Sequence, residues 1–240
     1  MGLSVVGVSS LAWYVSLTKA DWVMSLTMLS PLSFGPADLA VFYILMTVMM
    51  VAMMLPATLP IILGFRQFVR TKGAVSVGAP ARFGITAFMA PYFLVWGGFG
   101  VVSLIGLEVL GFMGPMMGLA SLIPGFILIA AGAYQATTLK EACLRQCQSP
   151  FTFVLGRWRK GLGGAFRMGL SHSKFCLGCC WMFMVVLFVS GAMSLLWMGV
   201  VSIMIFIEKV GIGKTHTSRA IGAFLILLGI LVSVQALSSL

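Results

Sequence analysis

The chain has 240 residues, 60% of them hydrophobic and 8% charged, against about 25% charged in a typical soluble domain. Fifteen Lys and Arg stand against five Asp and Glu, a net charge of +10. This composition excludes a soluble enzyme, a secreted disulfide scaffold and a nucleic-acid-binding module; it calls for a lipid bilayer, with the excess positive charge in the loops on its cytoplasmic side.

A transmembrane helix takes about 20 mostly apolar residues, and such stretches follow one another along the chain. The first spans residues 3–17 and is short for a full crossing. A secretory signal peptide is the competing reading, but Thr18-Lys19-Ala20 is a poor cleavage site and the positive n-region is missing, so a retained span is expected. A polar and aromatic stretch, 19–38, follows with Pro31, Gly35 and Pro36. The second span opens at Asp38 as N-cap and runs to Gly64, where Arg66, Arg70 and Lys72 stop it. A third covers 83–107 and a fourth 117–134, with a Gly-rich turn around Gly111, Gly114 and Pro115 between them.

Residues 135–175 are the one long polar segment, read as a basic cytoplasmic loop carrying Lys140, Arg145, Arg157, Arg159, Lys160, Arg167 and Lys174. The apolar run 175–207 is too long for one span and too short for two full ones. Charge decides between them. With a turn at Ser190-Gly191-Ala192, the loops holding Arg66, Arg70, Lys72 and Arg82, then the seven residues above, then Lys209, Lys214 and Arg219 all fall on one side, and only Lys19 lies opposite. That asymmetry obeys the positive-inside rule. The first helix of this hairpin then begins near Gly164 or Gly169, and a last span covers 220–237. The expected fold is all-α: a polytopic transmembrane helix bundle of about seven spans, six if the run is a single tilted helix, with a cytoplasmic N-terminus. No repeat or linker divides it, so residues 1–240 form one integral membrane domain. Gly97, Gly98, Gly100, Gly114 and Gly118 allow close helix approach, the last two as a G-x-x-x-G pair.

All five cysteines lie within 38 residues, as Cys143-x-x-x-Cys147 and Cys176-x-x-Cys179-Cys180, with His172 one turn before the second group. At 100° per residue, His172, Cys176, Cys179 and Cys180 fall in an arc of about 100° on one helix face. A short helix at 137–148 puts Cys143 and Cys147 one turn apart and lets Glu141 pair with Arg145. The expected metal ligands are therefore Cys143, Cys147, His172, Cys176, Cys179 and Cys180. Thiolates with an imidazole suit copper(I) or zinc, and Lys140, Arg145 and Lys174 nearby are expected to lower the thiol pKa values. A cytoplasmic site keeps these thiols reduced, which argues against structural disulfides. The alternative is plain packing, since cysteine is a common small hydrophobe in buried helices.

Met46, Met50, Met53 and Met54 share a helix face, and Met116-Met117 lies toward the opposite surface. Thioethers select copper(I), so a methionine-lined path to the cysteines is conceivable, although methionine is an ordinary core filler. Glu108 and Glu208 read as span ends, Glu208 and Lys209 as an interfacial pair, and His216 as solvated. Gly213-Lys214-Thr215 resembles the end of a P-loop, but the first glycine of that pattern would fall on Glu208. No Ser/His/Asp set or paired carboxylates indicate catalysis.

Met53-Met54-Leu55-Pro56, Tyr134-Gln135, Leu139-Lys140-x-x-Cys143-Leu144-x-x-Cys147 with Ser149-Pro150, Cys176-Leu177-Gly178-Cys179-Cys180-Trp181, Trp197-Met198 and Glu208-Lys209 form a recognisable series. In it the chain resembles a family of uncharacterised prokaryotic multi-pass proteins described as predicted metal-binding integral membrane proteins. The resemblance covers about 38–237 and implies that Cys143, Cys147, Cys176, Cys179 and Cys180 are the shared cluster; His172 is added from helix geometry.

The expected function is membrane metal handling, binding copper(I) or zinc for delivery, storage or assembly of a metallo-complex, without catalysis of its own. The expected location is a prokaryotic cytoplasmic membrane, and the expected partners are the lipid bilayer and other membrane subunits of a metalloenzyme. The alternative is a non-catalytic accessory subunit of a larger membrane oxidoreductase, such as a copper-dependent oxidase or monooxygenase. A transporter, for which Pro56, Pro60, Pro91 and Pro124 would break helices around a pathway, and a thiol-disulfide relay through Cys179-Cys180 are weaker readings.

Overall fold

A computed structural model describes residues 2–18, 35–72, 81–109, 121–189, 195–210 and 214–238. The described residues form helices throughout: α1 Gly2–Thr18, α2 Pro36–Lys72, α3 Ala81–Val109, α4 Ile123–Gln135, α5 Thr138–Gln148, α6 Pro150–Arg157, α7 Gly161–Val189, α8 Leu195–Val210 and α9 Lys214–Ser238. The class is all-α, as expected. Four helices contain segments long and apolar enough to cross a membrane, Ala40–Gln67, Phe83–Ser103, Gly161–Phe188 and His216–Ser238. Helices α1, α4 and α8, of 17, 13 and 16 residues, are shorter.

The apolar run 175–207 is divided between α7, ending at Val189, and α8, beginning at Leu195. The turn residues Ser190-Gly191-Ala192 lie outside the described residues, as do Gly111, Gly114, Pro115, Met116, Met117 and Gly118. Residues 135–175, read as a basic loop with a short helix at 137–148 and a helix start near Gly164 or Gly169, form α5, α6 and the first half of α7; α6 was not anticipated. Helix α2 starts at Pro36, two residues before the expected cap; proline suits a first helical turn, where its missing N–H has no partner to lose.

Prolines 56, 60 and 91, which the transporter alternative would use to break helices, lie inside α2 and α3, which run through them. Pro56 carries no N–H, so the carbonyl of Ala52 loses its intrahelical donor. Helix α1 supplies the replacement: Ser9 Oγ and Trp13 Nε1 each donate to Ala52 O at 3.1 Å. The proline thus becomes a docking point for α1. Replacing both donors, Ser9→Ala with Trp13→Phe, leaves that carbonyl buried without a partner and is expected to cost about 1–3 kcal/mol. Adding Pro56→Ala restores a helical N–H and should recover most of the loss; thermal unfolding of the two variants in detergent checks it.

Helices α4 and α9 meet backbone to backbone. A Cβ on Gly229 would lie 2.7 Å from the carbonyl oxygen of Gly125, and one on Gly222 would lie 2.7 Å from that of Gly132. This seam of small residues lets peptide groups touch. Elsewhere Gly97 lies under the Tyr43 ring and Gly100 under Met46, while Gly98 has open space. The outer faces are apolar, with Leu94, Val102, Leu227 and Leu231 exposed, consistent with helices that could cross a membrane. Inside, Met46, Met50, Met53 and Met54 of α2 pack with Tyr92, Trp96, Phe183 and the cysteines of α7 in one core.

Candidate metal centre

Helix α5 carries Cys143 and Cys147. Thr137 caps it, in extended conformation (ψ 146°), accepting from the Lys140 amide at 3.3 Å. Glu141 sits in the positive first turn and Arg145 in the last, and the two pair at 3.8 Å as expected. Pro150 ends the helix and starts α6, because it lacks an N–H and disfavours helical geometry at Ser149.

One charged network holds α5 in the bundle. Lys140 is 1% exposed and binds both carboxylate oxygens of Glu208 on α8, at 2.9 and 2.8 Å. Its ammonium also donates to Gln135 Oε1 and lies 4.5 Å from the Phe183 ring centroid. Ser218 of α9 donates to Glu208 Oε1 at 3.1 Å, and Gln148 Nε2 donates to the Glu208 carbonyl at 2.6 Å. The interfacial reading of Glu208 with Lys209 therefore needs correction. Glu208 is buried and pairs with Lys140, while Lys209 turns elsewhere.

With α5 fixed, its cysteines face α7. Cys147 is buried with its sulfur 3.9 Å from that of Cys179, and Cys179 and Cys180 have sulfurs 3.2 Å apart. Cys143 is half-buried over Gly178; a Cβ there would stand 2.7 Å from the Cys143 sulfur, so glycine is what admits this thiol. Tyr134 donates to the Gly178 carbonyl and clamps the same turn. Partial burial pushes the Cys143 thiol above its ordinary pKa. The lowering expected from neighbouring bases does not occur there, because Lys140 is occupied by Glu208 and Arg145 by Glu141.

Cys176, one turn earlier on α7, has different neighbours. Lys209 of α8 donates to its sulfur at 3.1 Å and lies 3.8 Å from Met54 Sδ, and the Tyr92 hydroxyl is 3.8 Å from the same thiol. Lysine, thiol, thioether and phenol are all buried. Four helices, α2, α3, α7 and α8, contribute to this pocket of soft donors around one cation. All five cysteines are free thiols.

His172 shares the buried face but not the thiol contacts. Its ring stacks on Phe88 and Tyr92, with centroids 6.0 and 6.2 Å away, and meets Phe153 edge-on at 5.6 Å. Neither nitrogen has a hydrogen-bond partner. A buried polar group left unsatisfied costs about 1–3 kcal/mol. No set of three or more His, Cys, Asp or Glu side chains among the described residues is arranged to hold a metal ion. The thiols instead make pairwise contacts. Two sulfurs bound to one metal at roughly 2.3 Å each stand between about 3.8 Å apart, at a tetrahedral angle, and about 4.6 Å, when collinear, and the Cys147–Cys179 separation of 3.9 Å falls in that range.

Sequence reasoning placed the six candidate ligands on α5 and α7 but missed Lys209, Met54 and Tyr92 as neighbours of Cys176. The available signal was a lysine and a glutamate at the end of an apolar helix, where an unpaired charge is costly.

A family model described as PpoB2: Copper chaperone matches residues 43–232. The chain belongs to this family. The family relates the chain to copper, an ion that thiols and thioethers select. No curated protein and no solved structure matches the chain.

Proposed function

We propose that this protein is an integral membrane copper(I) chaperone, in which the ion is cargo taken up by thiols at the cytoplasmic side of the bundle and passed to a membrane metalloenzyme. The observation that carries the reading is the buried contact series Cys147, Cys179, Cys180, next to Cys176 with Lys209 and Met54. Thiolates and thioethers bind copper(I) in preference to harder ions. A cuprous ion held by two thiolates carries one net negative charge, which an apolar interior disfavours. The Lys209 ammonium neutralises it. Cys143 is the entry thiol, His172 a further ligand through its unpartnered nitrogens, and the methionine face of α2 a soft lining on the membrane side of the cysteines.

In this reading the chain crosses a prokaryotic cytoplasmic membrane about seven times with its N-terminus inside, α7 and α8 forming the hairpin. The basic residues of α5, α6 and early α7 then lie on the cytoplasmic side, as the positive-inside rule requires.

Elemental analysis of the detergent-purified chain from copper- and zinc-supplemented cells tests the proposal, with Cys143→Ser/Cys147→Ser and Cys176→Ser/Cys179→Ser variants beside it. Near-stoichiometric copper in the parent and less than about a tenth of it in both variants is the expected result. Zinc in place of copper would reassign the ion. Samples equally empty across all three would sink the metal reading and favour an accessory subunit packed into a larger oxidoreductase.

A further inference from the structure

Two adjoining cavities open beside the outermost thiol. The larger, about 910 Å³, is lined by Arg157, Arg159, Arg167 and Ser171 among others, and the smaller, about 450 Å³, by Arg157, Arg167, Lys174, Ser171 and Cys143. They share Arg157, Arg167 and Ser171. No Asp or Glu appears among the described lining residues of either. Arg157 is held in place: it donates to Ser171 Oγ at 2.9 Å, and its guanidinium lies 4.8 Å from the Phe175 ring centroid and 5.9 Å from that of Phe153. Cys143 is the half-exposed member of the thiol series; the other four cysteines are buried behind it.

A bare cuprous cation approaching Cys143 would meet a mouth lined by cations of its own sign. The same mouth attracts anions, and its size is that of a small-molecule site, for which about 300–1,000 Å³ is usual. We infer that the vestibule receives copper as an anionic complex with a carboxylate-bearing low-molecular-weight thiol, the carboxylates docking on Arg157, Arg167 and Lys174 while Cys143 exchanges into the copper coordination. This inference rests on the chaperone reading and names how its cargo arrives. In the exchange one copper–sulfur bond to the carrier breaks and one to Cys143 forms. The Cys143 thiol proton passes to the departing carrier thiolate, which leaves as a thiol, and copper stays cuprous throughout.

The test compares copper transfer from two matched donors, Cu(I) complexed by N-acetylcysteine and by N-acetylcysteamine, which is the same thiol without its carboxylate. The full chain is reconstituted in nanodiscs of zwitterionic lipid, as parent and as Arg157→Gln/Arg167→Gln, with thermal unfolding checking that the variant is folded. Expected is transfer about 10-fold faster from the carboxylate donor at low salt, an advantage lost at high salt and in the variant, with equal copper at equilibrium in all cases. Equal rates from the two donors in the parent would overturn the vestibule while leaving the chaperone reading intact. A donor preference unchanged in the variant would also overturn it. A variant effect seen only after anionic lipid is added would assign these cations to lipid headgroups instead. A parent that takes no copper from either donor would sink both readings together.

Discussion

Glu208→Gln is expected to destabilise the protein by about 3–5 kcal/mol, the cost of removing one partner from a buried ion pair. Lys140 and Glu208 have side chains 1% exposed, so solvent does little to relieve the ammonium left behind. The glutamine retains hydrogen bonding to Ser218 but offers no counter-charge. Since about 2–4 °C in midpoint accompanies each kcal/mol for a chain of this size, the thermal unfolding midpoint in detergent should fall by on the order of 10 °C. Lys140→Met/Glu208→Leu removes both charges and is expected to be near neutral in stability. A single variant as stable as the parent would mean that water reaches the pair. The same contacts position Cys147, because α5 carries it and is held against α8 through Lys140 and Gln148. Glu208→Gln should therefore weaken copper retention as well as stability.

Lys209→Met is expected to lower copper(I) affinity about 100-fold with little loss of fold. Methionine fills similar volume beside Met54 and carries no charge, so the substitution strands none next to Cys176. The copper-bound state is different. Two thiolates and one cuprous ion carry a net negative charge, and at an effective dielectric constant near 20 a unit cation about 4 Å away is worth roughly 4 kcal/mol. Part of that is offset by desolvation of the lysine, which brings the expected loss to about 100-fold. Competition titration against a chromogenic cuprous chelator measures it. A rise in affinity would instead show that Lys209 occupies the position the metal takes.

Much of this arrangement was legible beforehand, element by element. The spacing of His172, Cys176, Cys179 and Cys180 gave a single face, and all four side chains are buried. The segment 137–148 with its Glu141–Arg145 pair marked a short helix that α5 reproduces, and the structure adds Thr137 as its cap. The split of 175–207 was legible from charge alone, since a single span would have put basic residues on both sides. What stayed hidden were partnerships between elements distant in sequence. Lys140 and Glu208 are 68 residues apart, and Lys209 and Cys176 are 33 apart. Both lysines had been counted as loop charge. The span through Pro56 was legible, but nothing in α2 itself announces that Ser9 and Trp13 replace the donor lost there. The glycine seam of α4 and α9 was missed for the same reason, its two halves lying far apart in the chain.

The sequence by itself determined the class, the helical segments and the soft donors. These follow from composition and from periodicities set by neighbouring residues, because a bilayer tolerates few backbone geometries and a helix repeats every 3.6 residues. Tertiary structure decided which group meets each buried lysine: Glu208 pairs with Lys140, and Lys209 donates to the Cys176 thiol beside Met54. Charge pairing in a low-dielectric interior is fixed by a few ångströms of separation between helices, and that distance is written in no single stretch of chain.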